Sequence, residues 1–266
     1  MTDHVLYHRD GHIVTLTLNQ PELRNPVSDD DMVDAILAAL VRLENDPEAR
    51  VAILTGAGSA FSSGGNLKKM ASGDGLASAS PIKTRRNYLT GIQRLPRAFA
   101  ALEVPIVAAV NGPAIGAGCD LACMCDIRVA GESAKFAESF VKLGIIPGDG
   151  GAWLLPHVVG HAKAAEMALT GDMVDAAEAL RIGLVSKVVP DAELLDAARA
   201  YAARIAANPP QAVRMTKRLL WEARQASLET VLQLSAAMQA LAHTTSDNKE
   251  AMTAFLEKRP PAFTGS

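Results

Sequence analysis

Two glycine-rich turns are the first places in this sequence where chemistry could be done. One reads Phe61-Ser62-Ser63-Gly64-Gly65-Asn66-Leu67 and follows the apolar run 51–55. The other reads Asn111-Gly112-Pro113-Ala114-Ile115-Gly116-Ala117-Gly118-Cys119-Asp120 and follows the apolar run 105–110. Glycine lets a ligand come close to the backbone. The first turn of a helix carries free N–H groups and the positive end of its dipole. Two such turns aimed at one spot supply two donors for a developing oxyanion, each commonly worth about 3–4 kcal/mol. The same turns could equally serve only to seat a strand against a helix. Neither fits a dinucleotide fingerprint or a P-loop, and no nucleophile elbow of the G-x-S-x-G type occurs.

Asp120 stands near these donors. It falls on a helix expected over 116–123, three residues after Ala117. Helical side chains lean toward the N-terminus, so its carboxylate should point back toward the turn. Burial would raise its pKa into a useful acid–base range; a local hydrogen bond is the alternative role. Cys119, Cys123 and Cys125 lack the paired spacing of a zinc site and have no histidine nearby, so they read as small buried hydrophobes. His157 and His161 are four apart, but Val158-Val159-Gly160 reads as a break between helices. No metal site is expected.

The elements that must position these groups follow from periodicity. Segments 4–8 and 12–18 flank Arg9-Asp10-Gly11 and read as a β-hairpin. Ser28 would cap a helix over 29–44. Runs 51–55, 105–110 and 126–130 read as strands, and the repeated order of strand, turn and helix suggests parallel βαβ units with ligands at the strand C-termini. A helix over 81–101 should be kinked at Pro96. From about 150 onward the pattern is mostly helical: 150–156, 161–169, 176–181, 191–207, 209–223, 227–242 and 246–257, with one strand at 185–189.

Composition narrows the function classes. The chain has 266 residues, 49% hydrophobic and 21% charged, an ordinary globular balance. A net charge of −3 without a basic stripe disfavours a nucleic-acid partner. No apolar run is long enough to span a bilayer, and the first residues do not form a basic-then-apolar leader. A cytoplasmic protein is the expectation.

The ordered motifs carry a family resemblance along nearly the whole chain. They are Arg24-Asn25-Pro26-Val27, AFSSGGNL (60–67), PIVAAVNGPAIGAGCDLACMCDIRVA (105–130), KLGIIPGDGGAWLLPHVVG (142–160), ALTGDMVDAAEALRIGLVSKVV (168–189) and AFLEKRPPAF (254–263). Together they resemble the crotonase (enoyl-CoA hydratase/isomerase) superfamily. That implies an α/β fold with a spiral core of ββα turns over 1–200, carrying an acyl-CoA site, and a helical C-terminal oligomerisation region over 201–266. It implies a homotrimer or a dimer of trimers, a place in fatty acid metabolism, and no cofactor beyond the CoA thioester substrate.

By motif position the resemblance puts the oxyanion donors at Gly65 and Ala117, where Ala stands for a frequent Gly. It puts substrate contacts at Arg24, Ser63, Gly64, Asn66, Leu67, Lys68, Gly116 and Phe140, with Lys258 and Phe263 reaching a neighbouring subunit's CoA. Lys69 reads as a surface charge. A hydratase of this kind uses two glutamates; the positions here hold Asp120 and Phe140, and phenylalanine cannot transfer a proton. Asp149 could replace the missing group, because some members with other chemistries carry an aspartate one position earlier; it could instead cap the helix at 150–156. Glu138 shares parity with Phe140 if the segment is extended. An enoyl-CoA hydratase-like reaction leads. Isomerisation, decarboxylation, thioester hydrolysis and acyl-CoA binding without turnover are the alternatives.

Overall fold

The computed structural model describes residues 3–266. The chain opens with an antiparallel hairpin, β1 (Val5–Asp10) and β2 (Ile13–Leu18), turning at Gly11 with φ of 57°. The turn falls one residue later than the sequence suggests. Alternation in β2 sends Val14, Leu16 and Leu18 inward. Helix α1 (Asp30–Asn45) buries Met32, Val33, Ile36, Leu40 and Leu43 on one face. Ser28 does not cap it. Asp29 holds the N-cap position, and the Ser28 hydroxyl instead accepts from the Asn66 backbone N–H at 2.8 Å.

Strand β3 (Val51–Gly56) runs parallel to β2 and leads through the first glycine-rich turn to α2 (Leu67–Ser72). The expected long helix is two: α3 (Pro81–Thr90) and α4 (Arg94–Ala101). The break lies at 91–93, not at Pro96. Gly91 has ψ of −114°, outside the helical region. Pro96 sits in the first turn of α4, where its missing N–H costs nothing.

Strand β4 (Ile106–Val110) precedes the second turn, which contains a short strand, β5 (Pro113–Ile115), and then α5 (Ala117–Met124). Next come β6 (Ile127–Gly131), β7 (Lys135–Ala137), α6 (Gly151–Val159), α7 (His161–Thr170), β8 (Val174–Asp175), α8 (Ala176–Arg181) and β9 (Lys187–Val189). The main sheet has the order β1-β2-β3-β4-β6-β9 and is parallel beyond the hairpin; β5, β7 and β8 form a second, small sheet. The small sheet's strands are too short to show a period, so only the structure reveals them.

Helix α9 (Leu194–Ala206) covers one face of the main sheet, where Val51, Ile53, Val107, Ala109 and Val129 meet Leu194, Ala198 and Ala202. The other face joins the larger core through Ala52, Leu54, Ile106, Ala108 and Val110. Cover on both faces explains why β3 and β4 are continuous apolar runs. The chain ends in α10 (Pro210–Glu222), α11 (Leu228–Ala242) and α12 (Ser246–Glu257). Among the described residues no helix is long and apolar enough to cross a membrane.

Candidate active site

The two glycine-rich turns lie side by side. Ser62 and Ala114 pair as a parallel bridge, with the Ser62 N–H donating to Pro113 O at 3.1 Å and the Ile115 N–H to Ser62 O at 3.0 Å. Asn25 fixes the first turn from beneath. Fully buried, it donates to Ala57 O and Ala60 O, both at 2.9 Å, and its Oδ1 accepts from the Gln20 N–H at 2.9 Å. The Ser62 hydroxyl donates to Asn25 O at 2.7 Å and accepts from the Gly64 N–H at 3.1 Å. Gly64 takes φ of 81°, and a methyl group there would strike Ile115 O and come within 3.1 Å of Ala117 N. The close approach of the turns therefore requires glycine at this position.

Gly65 and Ala117 line one pocket. Ala117 is the first residue of α5, so its N–H has no partner within the helix. Gly116 before it has φ of 53° and ψ of −121°, which turns the chain sharply into the helix. Among the described residues neither the Gly65 nor the Ala117 N–H donates to a protein acceptor. The residues that the motif positions single out thus line one space.

The pocket is mainly apolar, with Leu67, Met70, Leu76, Ile92, Phe140, Leu143 and Ile145 around it. Its polar groups include Ser28, Ser63, Ser139, Tyr88 and Asp149. An outer groove shares Ser63, Gly65 and Leu67 with it and adds Arg24, Asn66 and Lys68. Arg24 is exposed and held in the left-handed region with φ of 60°. Asn66 caps α2, accepting from the Lys69 N–H, and also donates to Asp29 at 2.9 Å. Lys69 is paired with Asp29 at 3.0 Å, in keeping with a surface charge. Lys258 and Phe263 line neither space in this chain; the Phe263 carbonyl accepts from Arg50 at 2.7 Å.

The carboxylates depart most from the sequence reading. Asp120 does not open on the pocket. All eight residues of α5 are buried, Asp120 completely. Its carboxyl abuts Gly151 at the start of α6, where a methyl group would also come within 2.6 Å of Glu138 Oε1. Glu138 is 1% exposed, and the 3₁₀ turn Ser139–Leu143 begins just after it. That turn breaks the parity expected with Phe140: Phe140 faces the pocket and Glu138 lies behind it with Asp120. Asp149 caps nothing. The N-cap of α6 is Gly150, with φ of 113°, and the Asp149 side chain is buried at the pocket wall.

No protein donor satisfies either oxygen of Asp120, either oxygen of Glu138, or Oδ1 of Asp149. Burial, with the neighbouring Glu138 charge, pushes the Asp120 carboxyl well above the usual range. Burial and then Asp120 do the same to Asp149. Burial pushes Glu138 up to about 7. All three carboxyls therefore hold their protons more tightly than exposed acids do.

Sequence reasoning missed Tyr88. It lines the pocket from α3, its ring lies against Gly148, and burial followed by the Asp149 charge raises its hydroxyl pKa. A tyrosine in a polar helix has no signal that separates it from surface. His157 and His161 lie on separate helices, α6 and α7.

Two N–H donors at an apolar pocket, with a buried acid in its wall, suit chemistry that builds charge on a carbonyl oxygen and moves a proton nearby. The family model described as Enoyl-CoA hydratase/isomerase matches residues 8–266. The chain belongs to the enoyl-CoA hydratase/isomerase family. It is 39% identical over 260 residues to a probable enoyl-CoA hydratase of Mycobacterium tuberculosis, covering 98% of this chain and 97% of that protein. It is 38% identical over 266 residues to the 1,2-epoxyphenylacetyl-CoA isomerase of Escherichia coli, covering 100% of both. The crystal structure of an enoyl-CoA hydratase from Bacillus anthracis superposes with a TM-score of 0.92 at 33% identity, covering 99% of this chain and 100% of that one. The protein is an enzyme of this family, with the family's mixed α/β fold.

Proposed function

We propose that this enzyme holds an acyl-CoA thioester with its carbonyl oxygen between the Gly65 and Ala117 N–H groups, and that Asp149 moves a proton on the acyl chain. The acyl group would fill the apolar pocket, beside Phe140 and Gly116. The CoA portion would run out past Ser63, Gly64 and Leu67 into the outer groove, toward Arg24 and Lys68. No metal or redox cofactor is needed, since charge on the oxygen and a proton in flight are the whole reaction.

One observation carries this reading: Asp149 is the carboxyl group that lines the pocket on which the two donors open. A single acid that takes a proton from one carbon and returns it to another performs double-bond isomerisation through an enolate. Addition of water needs a second group to activate the water, and Phe140 cannot serve. Hydration is the second reading, favoured by the position of Asp120 directly behind Asp149 and by the hydratase named among the relatives. Decarboxylation or thioester hydrolysis would use the same oxyanion donors.

We also assign self-association to the region over 201–266, as a homotrimer or a dimer of trimers. Exposed Leu220, Leu228, Leu232, Leu241, Phe255 and Leu256 support it, being more apolar surface than isolated helices leave open. Lys258 and Phe263 would then act on a neighbour's CoA.

The test is incubation of 2-enoyl-CoA and 3-enoyl-CoA thioesters in D2O, read by mass spectrometry. Interconversion with deuterium uptake, lost in Asp149→Asn, is the expected result. Hydrated product that persists in Asp149→Asn would reject Asp149 as the proton carrier. Binding without exchange on any acyl group would make the protein a carrier of acyl-CoA rather than a catalyst.

A further inference from the structure

Glu138 and Asp120 are not explained by a single acid at the pocket wall. Each is almost wholly enclosed, and each has two oxygens that no protein donor reaches. Buried carboxylates normally recruit arginine, lysine or backbone N–H groups. Here the groups that act on them are other acids and thiols. Asp120 feels Glu138, Asp149 and Cys123; Glu138 feels Asp120, Cys123 and Asp149; Asp149 feels Asp120, and its own charge acts on Tyr88 of α3. Cys119 faces Glu138 and Asp120 from α5. Among the described residues no cation acts on any of the three carboxyls.

Such a cluster can satisfy its oxygens with its own protons, each carboxyl donating to the next. Asp120 and Glu138 meet at Gly151, where a single added methyl group would strike oxygens of both; Asp120 also acts on Asp149, which is the end that meets the pocket. Gly151 keeps the interior end open, because any side chain there would occupy the space between Asp120 and Glu138.

We propose that Asp120 and Glu138 form a proton relay behind Asp149, with Glu138 a positioning residue that stores the negative charge until Asp149 needs it. The proposal rests on the reading that Asp149 moves the substrate proton. At rest the charge is on Glu138, and Asp149 and Asp120 are protonated. When base is required, the Asp149 proton passes to Asp120 while the Asp120 proton passes to Glu138. Two O–H bonds break and two form, the cluster's net charge is unchanged, and the charge now faces the substrate. The return transfer restores the acid. One pocket carboxyl can thus serve as base and then acid without solvent entering a closed site.

Glu138→Gln tests this, since it keeps the shape and removes the charge store. The pH profile of kcat decides. With Glu138 gone, the cluster's first ionisation must come from Asp120 or Asp149, and Asp120 loses a neighbour that raises it. The acid limb should therefore leave the region near pH 7 that Glu138 sets, by about one pH unit or more, and Glu138→Asp should bring it back toward wild type. A lower kcat with an unmoved limb would overturn the relay and leave Glu138 as packing. Infrared titration of wild type carrying isotope-labelled glutamate gives an answer even if the variant does not fold. Exposed glutamates are ionised by pH 6, so a protonated glutamate band that persists there and fades near pH 7 is Glu138. Its absence at pH 6 would end the proposal. Neither result bears on the Asp149→Asn test, so the two readings fail separately.

Discussion

The proposed thioester end and the proposed proton end of this site are built from different materials. The thioester end is backbone: two N–H groups at Gly65 and Ala117, held by turns that Asn25 and Ser62 tie together. The proton end is side chain: Asp149, Asp120 and Glu138, all buried, with no protein donor on either oxygen of Asp120 or Glu138 or on Oδ1 of Asp149. A backbone donor survives nearly any substitution that keeps the fold, as Ala117 itself illustrates. A side-chain acid does not survive replacement, as Phe140 illustrates. One scaffold can therefore keep its oxyanion donors while its proton chemistry changes.

The comparison breaks most decisively at Asp149. Asp149→Asn should lower kcat by about 10²–10⁴-fold, the usual worth of a positioned acid or base, while KM for the thioester changes little. Parallel loss of binding would mean that the two ends are not separable. Ala117→Pro tests the other end. Proline is tolerated at the first position of a helix, so the substitution replaces the N–H with a ring carbon while leaving the helix in place. It should lower kcat by about 10²–10³-fold, with the far-ultraviolet spectrum unchanged. Full activity would exclude that N–H as an oxyanion donor.

These ends were unequally legible in the sequence. Turns at 60–67 and 105–120 announce themselves because glycine has few substitutes where backbones touch, as at Gly64. The long helices and buried strands follow from their periods. What stayed hidden depends on short-range geometry. Glu138 and Phe140 have the same parity, but a 3₁₀ turn sends one behind the pocket and the other into it. Asp149 sits where a cap would sit, yet Gly150 takes the cap position. Asp120 leans toward Gly151 rather than the pocket because α6 begins there with no side chain. Pair patterns in sequence do not encode such three-body arrangements.

Stability should carry the signature of the proton end as well. Glu138 is raised to about 7 in the folded state, and burial also raises Asp120 and Asp149 well above the usual range. The native state then binds protons more tightly than the unfolded chain. For a raised acid the contribution is fully present below the unfolded pKa, near 4, and declines as pH rises through the folded value. Between about pH 4.5 and 7 each such group removes on the order of 1.4 kcal/mol per pH unit. Asp120→Asn should flatten that slope in a denaturant series across pH. An unchanged slope would place the charges elsewhere.

The smallest expected effect is the sharpest check on the backbone side. Ala117→Gly keeps the N–H and removes only a methyl group from the first turn of α5. Stability should drop by about 0.5–1 kcal/mol, the usual cost of glycine in a helix, and kcat should stay within a few-fold of wild type. Stability and activity would then respond to different parts of the same residue, the methyl group to one and the N–H to the other. A large fall in kcat would instead show that the alanine side chain shapes the pocket around the thioester. The thioester end would then depend on side chains too, and the contrast with the Asp149 end would be one of degree.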